Sequence, residues 1–330
     1  MKSISTFKSA FILSLILLVL SSCAVFQKSA EKQSDLKDSS VDISVKGLEH
    51  NFTVLHLTDT HISVYDSSEA EYHSFARRMD RAYPVTRHYL SGDSATPAVH
   101  LQNILESAGS HSADLLILSG DIVNNPSRSS VAFVKKMLDE TGIPFLYISG
   151  NHDWHYEGMP GTLNQLRDKW TKESLAPLYN GKNPLYYQHD WKGINFVMID
   201  NSTYQVNKDQ LAFFKGQVKR GLPIVLVMHI PLYHPNYREN GISTFADPRW
   251  GAEADENWQL EKRERWFDSG NLPETTEFAE LIKQAPNIIA VLAGHTHRNS
   301  IDVFSETLKQ YVTASTAFGQ HRFITFHKTN

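Results

Sequence analysis

Five short runs of this sequence carry residue types that hold metal ions. They are Asp59-Thr60-His61, Gly120-Asp121, Gly150-Asn151-His152-Asp153, the lone His229, and Gly294-His295-Thr296-His297. Carboxylate oxygens and neutral imidazole nitrogens suit borderline divalent ions such as Mn, Fe, Co or Zn. A carboxylate has two oxygens and can bridge two ions, which neutral ligands do poorly. The set therefore reads as a two-metal site. In Asp59-x-His61 and His295-x-His297 the paired side chains lie two residues apart, so in an extended segment they would project the same way. Glycines before Asp121, Asn151 and His295 let the backbone turn tightly and approach the ions. Metal coordination lowers the pKa of bound water to about 7, and two ions about 3.5–4 Å apart stabilise the oxygens of an in-line displacement. Charge balance favours phosphate. Two divalent ions bring four positive charges, Asp59 and Asp121 remove two, and a bridging hydroxide removes one more.

Residues so far apart in sequence need elements that bring them together. Each run stands at the carboxyl end of a short apolar segment or just beyond it, where open α/β sheets gather ligands. Strands are expected at 52–58, 114–119, 144–149, 194–200, 223–229 and 287–293, with further β signals at 301–304, 310–314 and 322–327. Helical patterns lie between them, near 97–108, 127–140, 162–169, 207–219 and 273–284. Alternation of this kind marks an α/β domain. No internal repeat and no second composition regime follows Lys46, so one domain is expected.

The 330 residues are 41% hydrophobic and 21% charged, ample for a core, and the net charge of −4 gives no sign of a dedicated nucleic-acid partner. The first residues read differently. Lys2 and Lys8 precede an apolar run that ends in Leu20-Ser21-Ser22-Cys23, the pattern of a secretory signal. The run is too short to span a membrane, which takes about 20 apolar residues. Leu20-Ser21-Ser22-Cys23 resembles the lipobox of bacterial lipoproteins, which implies cleavage before Cys23 and a membrane anchor through lipid on that residue. The expected division is a leader at 1–22, the lipidated cysteine with a flexible polar linker at 23–48, and the folded domain at 49–330. A single cysteine excludes an intramolecular disulfide.

Taken together and in order, the five runs resemble the motif set of the calcineurin-like metallophosphoesterases. The resemblance covers residues 52–297, nearly all of the expected domain. It implies a four-layer α/β/β/α sandwich, in which two mixed sheets lie between helices. It implies hydrolysis of phosphomonoesters or phosphodiesters by two divalent ions with a bridging hydroxide as nucleophile. The resemblance makes Asp59, His61 and His297 ligands of one ion and Asn151, His229 and His295 ligands of the other, with Asp121 bridging. It makes His152 a contact of the phosphate that stabilises the transition state and protonates the leaving oxygen, with Asp153 orienting it. Purple acid phosphatases of the superfamily carry a tyrosine three residues after the bridging aspartate; here that residue is Asn124, so a tyrosine-bound ferric ion is not expected.

Several features invite plainer readings. His56 reads as a hydrogen-bonded strand histidine, and Gly92-Asp93 lacks the apolar strand that precedes Gly120-Asp121. Asn51-Phe52-Thr53 and Asn201-Ser202-Thr203 match the glycosylation sequon, which a bacterial lipoprotein gives little reason to use. Two connections, 62–96 and 232–272, exceed the ~12–15 residues of an ordinary loop and are the places to look for substrate choice. In the first, Ser68-Glu69-Ala70-Glu71 has the form of a capping box that starts a helix towards Arg77, Arg78 and Arg81. In the second, Trp250, Trp258 and Trp266 recur every eight residues, which reads as a packed helical face. A non-catalytic binding protein on the same fold would have lost ligands, and none is missing. The identity of the phosphorylated substrate is not legible at this stage.

Overall fold

The apolar runs become the inner strands of two mixed sheets. The computed structural model describes residues 39–235 and 243–329; the leader, Cys23 and the chain up to residue 38 lie outside that description. The first sheet has the order β1 (Ser40–Lys46), β13 (Arg322–Thr329), β2 (Phe52–Leu57), β5 (Leu115–Leu118), β6 (Phe145–Tyr147). The second has the order β11 (Ser300–Val303), β12 (Lys309–Val312), β10 (Ile288–Ala293), β9 (Ile224–Val227), β8 (Ile194–Ile199), β7 (Tyr186–Trp191). A small hairpin, β3 (Thr86–Arg87) with β4 (Ser94–Ala95), stands apart. β2, β5 and β6 run parallel to one another, as do β8, β9 and β10. Both sheets therefore present several carboxyl strand ends on one side.

Side-chain alternation explains the layering. On β8, Phe196 and Met198 enter the core between the sheets, while Val197 and Ile199 join a second core. That second core is completed by Leu211 and Phe214 of α6 (Lys208–Lys219) and by Phe278 and Ile282 of α7 (Pro273–Gln284). Successive strand residues face opposite sides, so a fully apolar strand needs a cover on both. Between the sheets, Phe52 stacks on Phe326 at 4.9 Å and Phe196 meets both rings edge-on. The outer face of the first sheet takes Leu101 and Leu105 of α2 (Pro97–Ser110) with Val131 and Leu138 of α3 (Arg128–Glu140). The result is the helix–sheet–sheet–helix sandwich that was expected. The helices begin where side chains cap them: Thr96 before α2, Ser127 before α3, and Asn207 in a reciprocal capping box with Gln210 before α6. Three further helices are α1 (His73–Ala82), α4 (Leu163–Trp170) and the single turn α5 (Ala176–Tyr179).

Three expectations need correction. Residues 40–46 are not linker: β1 pairs in parallel with β13, Ser40 opposite Phe323 through Lys46 opposite Thr329. Val41, Ile43 and Val45 are buried while the residues between them are exposed, so the polar average hid a period of two. In the 62–96 connection the cap is Asp66, whose carboxylate accepts from Ser68 N at 2.6 Å, and it opens the short 3₁₀ turn Ser67–Tyr72 ahead of α1. Glu69 is instead buried against the start of α3, accepting from Ser127 Oγ and Arg128 N at 2.8 Å each. The tryptophans of 232–272 do not share a helix; among the described residues that segment holds only the turn Ala252–Ala254.

The revised boundary is testable by truncation. Removing residues 1–39 should leave the urea midpoint unchanged. Removing 1–46 withdraws three buried β-branched side chains, each worth about 1.5–3 kcal/mol, from a domain with about 5–15 kcal/mol in all. That shorter chain should unfold at much lower urea or fail to accumulate in soluble form; an equal midpoint for both truncations would restore residues 40–46 to the linker.

Candidate metal centre

The ligand-bearing loops leave the carboxyl ends of β2, β5, β6, β9 and β10, and the backbone there is unusual. Asp59, His61, Asp121, His295 and His297 all adopt left-handed conformations, with φ of 52°, 46°, 52°, 68° and 55°. Each costs a non-glycine residue on the order of 1–2 kcal/mol. The two His- and Asp-x-His pairs therefore converge through kinks, not along the extended segments the spacing suggested. Cross-links hold the kinks in place. Asp59 N donates to Gly120 O at 2.9 Å and His61 N to Asp121 O at 3.0 Å, while Ala317 N and Ser315 Oγ both donate to Asp59 O.

The glycines act mainly by being small. A Cβ on Gly150 would land on the Asp121 carboxylate, and one on Gly294 would land on the Thr58 hydroxyl and the Asp59 carboxylate. Only Gly120, with φ of 98°, also needs the conformational freedom.

Two groups of ligands result. Asp59 Oδ1 lies 3.2 Å from His297 Nε2 and 3.9 Å from His61 Nε2, and those two nitrogens are 3.1 Å apart. Asp121 Oδ2 lies 3.2 Å from His229 Nε2, and Asp121, His229 and His295 offer ligand atoms within 4.8 Å of one another. Asp121 also falls into a group with His61 and His152, which places it between the two sets. Asn151 Oδ1, Asp59 Oδ1 and His229 Nε2 are buried atoms that make no hydrogen bond. Deep polar atoms left unpaired are costly, and a cation is the partner this donor set fits.

The remaining atoms of the ligands are committed to holding them still. His61 Nδ1 is 3.3 Å from Asn124 Oδ1, and His229 Nδ1 donates to Ser119 O at 2.8 Å. Each bond fixes its ring with Nδ1 towards the scaffold and Nε2 inward. Asp59 Oδ2 accepts from Thr58 Oγ1 at 2.7 Å and from His295 N at 2.9 Å. Asp121 Oδ1 accepts from His152 N at 2.8 Å. Protonation follows. Burial, reinforced by His152, holds His61 well below the usual imidazole range, and burial with His229 holds His295 down at about 3. Burial works against the carboxylates, but the facing histidines outweigh it and keep Asp59 and Asp121 below their usual range. His229, despite burial, is raised to about 9 by Asp121 and Asp59, so the pair of carboxylates demands positive charge.

All nine residues singled out from the sequence lie together in this region. Asp153 accepts from Val123 N through Oδ1 and from Gly150 N through Oδ2, each at 2.8 Å, and His152 Nδ1 has no hydrogen-bond partner. Asp153 thus ties the third loop to the second instead of orienting the His152 ring. His56 bonds Thr313 and Ser119 at 2.8 Å through its two nitrogens, as a strand histidine should. Asp93 is an exposed hairpin residue. Asn201 is buried and clamps the His229 loop, its amide accepting from Ile230 N at 3.0 Å and donating to Ile230 O at 2.7 Å. Two tyrosines were missed. Tyr83 lies flat on His61 with ring centroids 4.1 Å apart and planes within 2°. Tyr204, itself left-handed at φ 62°, brings its hydroxyl to 2.9 Å from His295 Nε2 and is flanked by Trp250 and Trp266. Neither tyrosine belongs to a motif, so no local signal marks it.

Two carboxylate–imidazole groups joined through one aspartate, at the meeting ends of two sheets, define a metal-dependent hydrolase with a requirement for divalent ions. The calcineurin-like phosphoesterase profile matches residues 52–299, and the chain belongs to that family. A probable cyclic nucleotide phosphodiesterase of Fibrobacter succinogenes is 31% identical over 119 residues, 36% of this chain and 42% of that protein. The chain thus spans less than half the length of that relative. A second, from Psychrobacter sp., is 22% identical over 68% of this chain and 60% of its own length. Among solved structures, a dimetal phosphatase from Danio rerio superposes with a TM-score of 0.52 at 10% identity, over 82% of this chain and 91% of that one.

The shared aspartate makes a clear prediction. Asp121→Asn removes a charge that both groups use, so the variant should lose metal on dialysis, read by elemental analysis, and regain at most part of its activity in excess metal. Full metal content after dialysis would place the bridge elsewhere.

Proposed function

We propose that this protein hydrolyses phosphodiesters outside the cytoplasm, held to a membrane through lipid on Cys23. The observation that carries the catalytic reading is Asp121 between two ligand sets, with His152 and Asn151 half-buried at the mouth. The names of the relatives support a diester over a monoester. Asp59, His61 and His297 would hold one ion and Asn151, His229 and His295 the other, with Asp121 shared. When bound, such ions supply Lewis acidity to a phosphoryl oxygen and an activated water.

The chain's own residues do the rest. His152 is anchored by its backbone, since its N–H donates to Asp121, while its ring nitrogen Nδ1 remains unbonded. That imidazole is placed to hold a phosphoryl oxygen and to deliver a proton to the leaving oxygen. Asp153 fixes the turn from which His152 projects. Tyr204 and Asn124 fix the rings of His295 and His61. Trp154, buried and donating to Ser202 Oγ at 2.8 Å, closes the floor behind them. The membrane attachment has a different support. The lipobox-like Leu20-Ser21-Ser22-Cys23 precedes the described residues.

Two experiments address these readings. His152→Ala should keep its metal yet lose about 10²–10⁴ in kcat, the usual share of a positioned acid. The loss should shrink for aryl esters, whose leaving groups need no proton; loss of metal instead would make His152 a ligand. Separately, cells given radiolabelled palmitate should label the protein and the Cys23→Ala variant should not; equal labelling of both would remove the anchor.

A further inference from the structure

Beside the metal centre lies a second cavity whose wall carries four cations to one carboxylate. It has a volume of about 340 Å³ and is walled by Arg77, Arg78 and Arg81 of α1, by Lys262, and by Glu157. Among the described residues, Arg77, Arg81 and Lys262 make no ion pair. Arg78 and Glu157 belong at once to this cavity and to the smaller one that holds Asn151 and His152, so the two adjoin through a shared wall. The wall is built firmly. Glu157 is buried and takes Arg78 in a two-pronged ion pair, Nε to Oε2 at 2.9 Å and NH2 to Oε1. Such a fork fixes the guanidinium plane and leaves its other N–H donors uncommitted.

Arginines in the last turns of a helix complement its dipole, and α1 alone would ask for no further explanation. Lys262 does. It arrives from the distant 232–272 segment with a left-handed φ of 49°, pinned by Gly158 N, which donates to its carbonyl at 3.0 Å. Two separate insertions thus converge their cations on one cavity next to the reacting centre, in a chain whose formal charge is −4. Concentrated cations on an acidic protein, with a fixed guanidinium among them, suit a multiply charged oxyanion.

We propose that this cavity is a second anion site, which takes a phosphoryl group that the substrate carries beyond the ester being cut. The proposal rests on the phosphodiesterase reading and narrows it to phosphodiesters bearing a further phosphate. The test uses two chromogenic esters with one scissile bond, thymidine 5′-(p-nitrophenyl phosphate) with and without a 3′-phosphate. The metal-loaded enzyme should favour the 3′-phosphorylated ester about tenfold or more in kcat/KM, the scale of one charge-assisted contact. That preference should decay as salt rises from low to physiological strength. In the doubly substituted Arg77→Gln, Arg81→Gln enzyme the preference should fall to near unity, with the loss on the phosphorylated ester. A wild-type ratio near one, or a ratio unchanged in the variant, overturns the second site while leaving the phosphodiesterase reading intact. Hydrolysis of neither ester by enzyme of full metal content overturns that reading itself.

Discussion

Two buried carboxylates, Asp59 and Asp121, lie at the junction of two sheets, and the fold around them answers their charge. A buried carboxylate is tolerable only where hydrogen bonds and positive charge replace water. Here the donors are arranged from both sheets: Thr58 Oγ1 and His295 N for Asp59, His152 N for Asp121. These leave one oxygen of Asp59 unbonded and the imidazoles of His229 and His297 raised above their ordinary pKa, which identifies a cation as the missing partner. The left-handed ligand residues belong to the same account, since conformations of that cost persist only where the surroundings over-determine them.

The two long connections frame this centre, and each is fastened to it by a specific contact. The first delivers Tyr83 onto the face of His61, and its hairpin is tied to the 315–318 turn through Tyr89 N to Phe318 O at 3.0 Å. That same turn grips the carbonyl of Asp59. The second delivers Trp250 and Trp266 around Tyr204, which touches His295. Both insertions therefore press on a candidate ligand through one aromatic ring. A shift in either loop would be felt at the ligand geometry, not only at the substrate.

The chemistry was legible in the sequence because its signal is local. Each ligand run ends a strand of apolar residues, and the order of five such runs is specific even where each alone is weak. The strands that carry ligands were legible for the same reason, being buried on both faces and so apolar throughout. β1 was not, because its seven residues alternate and its average is polar. Tyr83, Tyr204 and the true role of Asp153 were not, because they depend on which loop lies against which, and spacing says nothing of that. The tryptophans show the converse failure. A regular interval of eight suggested a helix, whereas two of the three residues meet through a loop that folds back on Tyr204.

The pairing of β1 with β13 carries a consequence for how the chain acquires its shape. β13 follows every other described strand in the chain, yet it inserts between β1 and β2, the first two of them. Until it arrives, β2 has one bare edge, and the loop that bears Asp59 lacks the 315–318 turn that grips it. Folding from the amino terminus as synthesis proceeds is therefore blocked for this sheet, and its contacts are of the long-range kind that form slowly. Unpaired edges in such a waiting chain are open to wrong partners. A chain kept unfolded until β13 is available loses nothing by this topology.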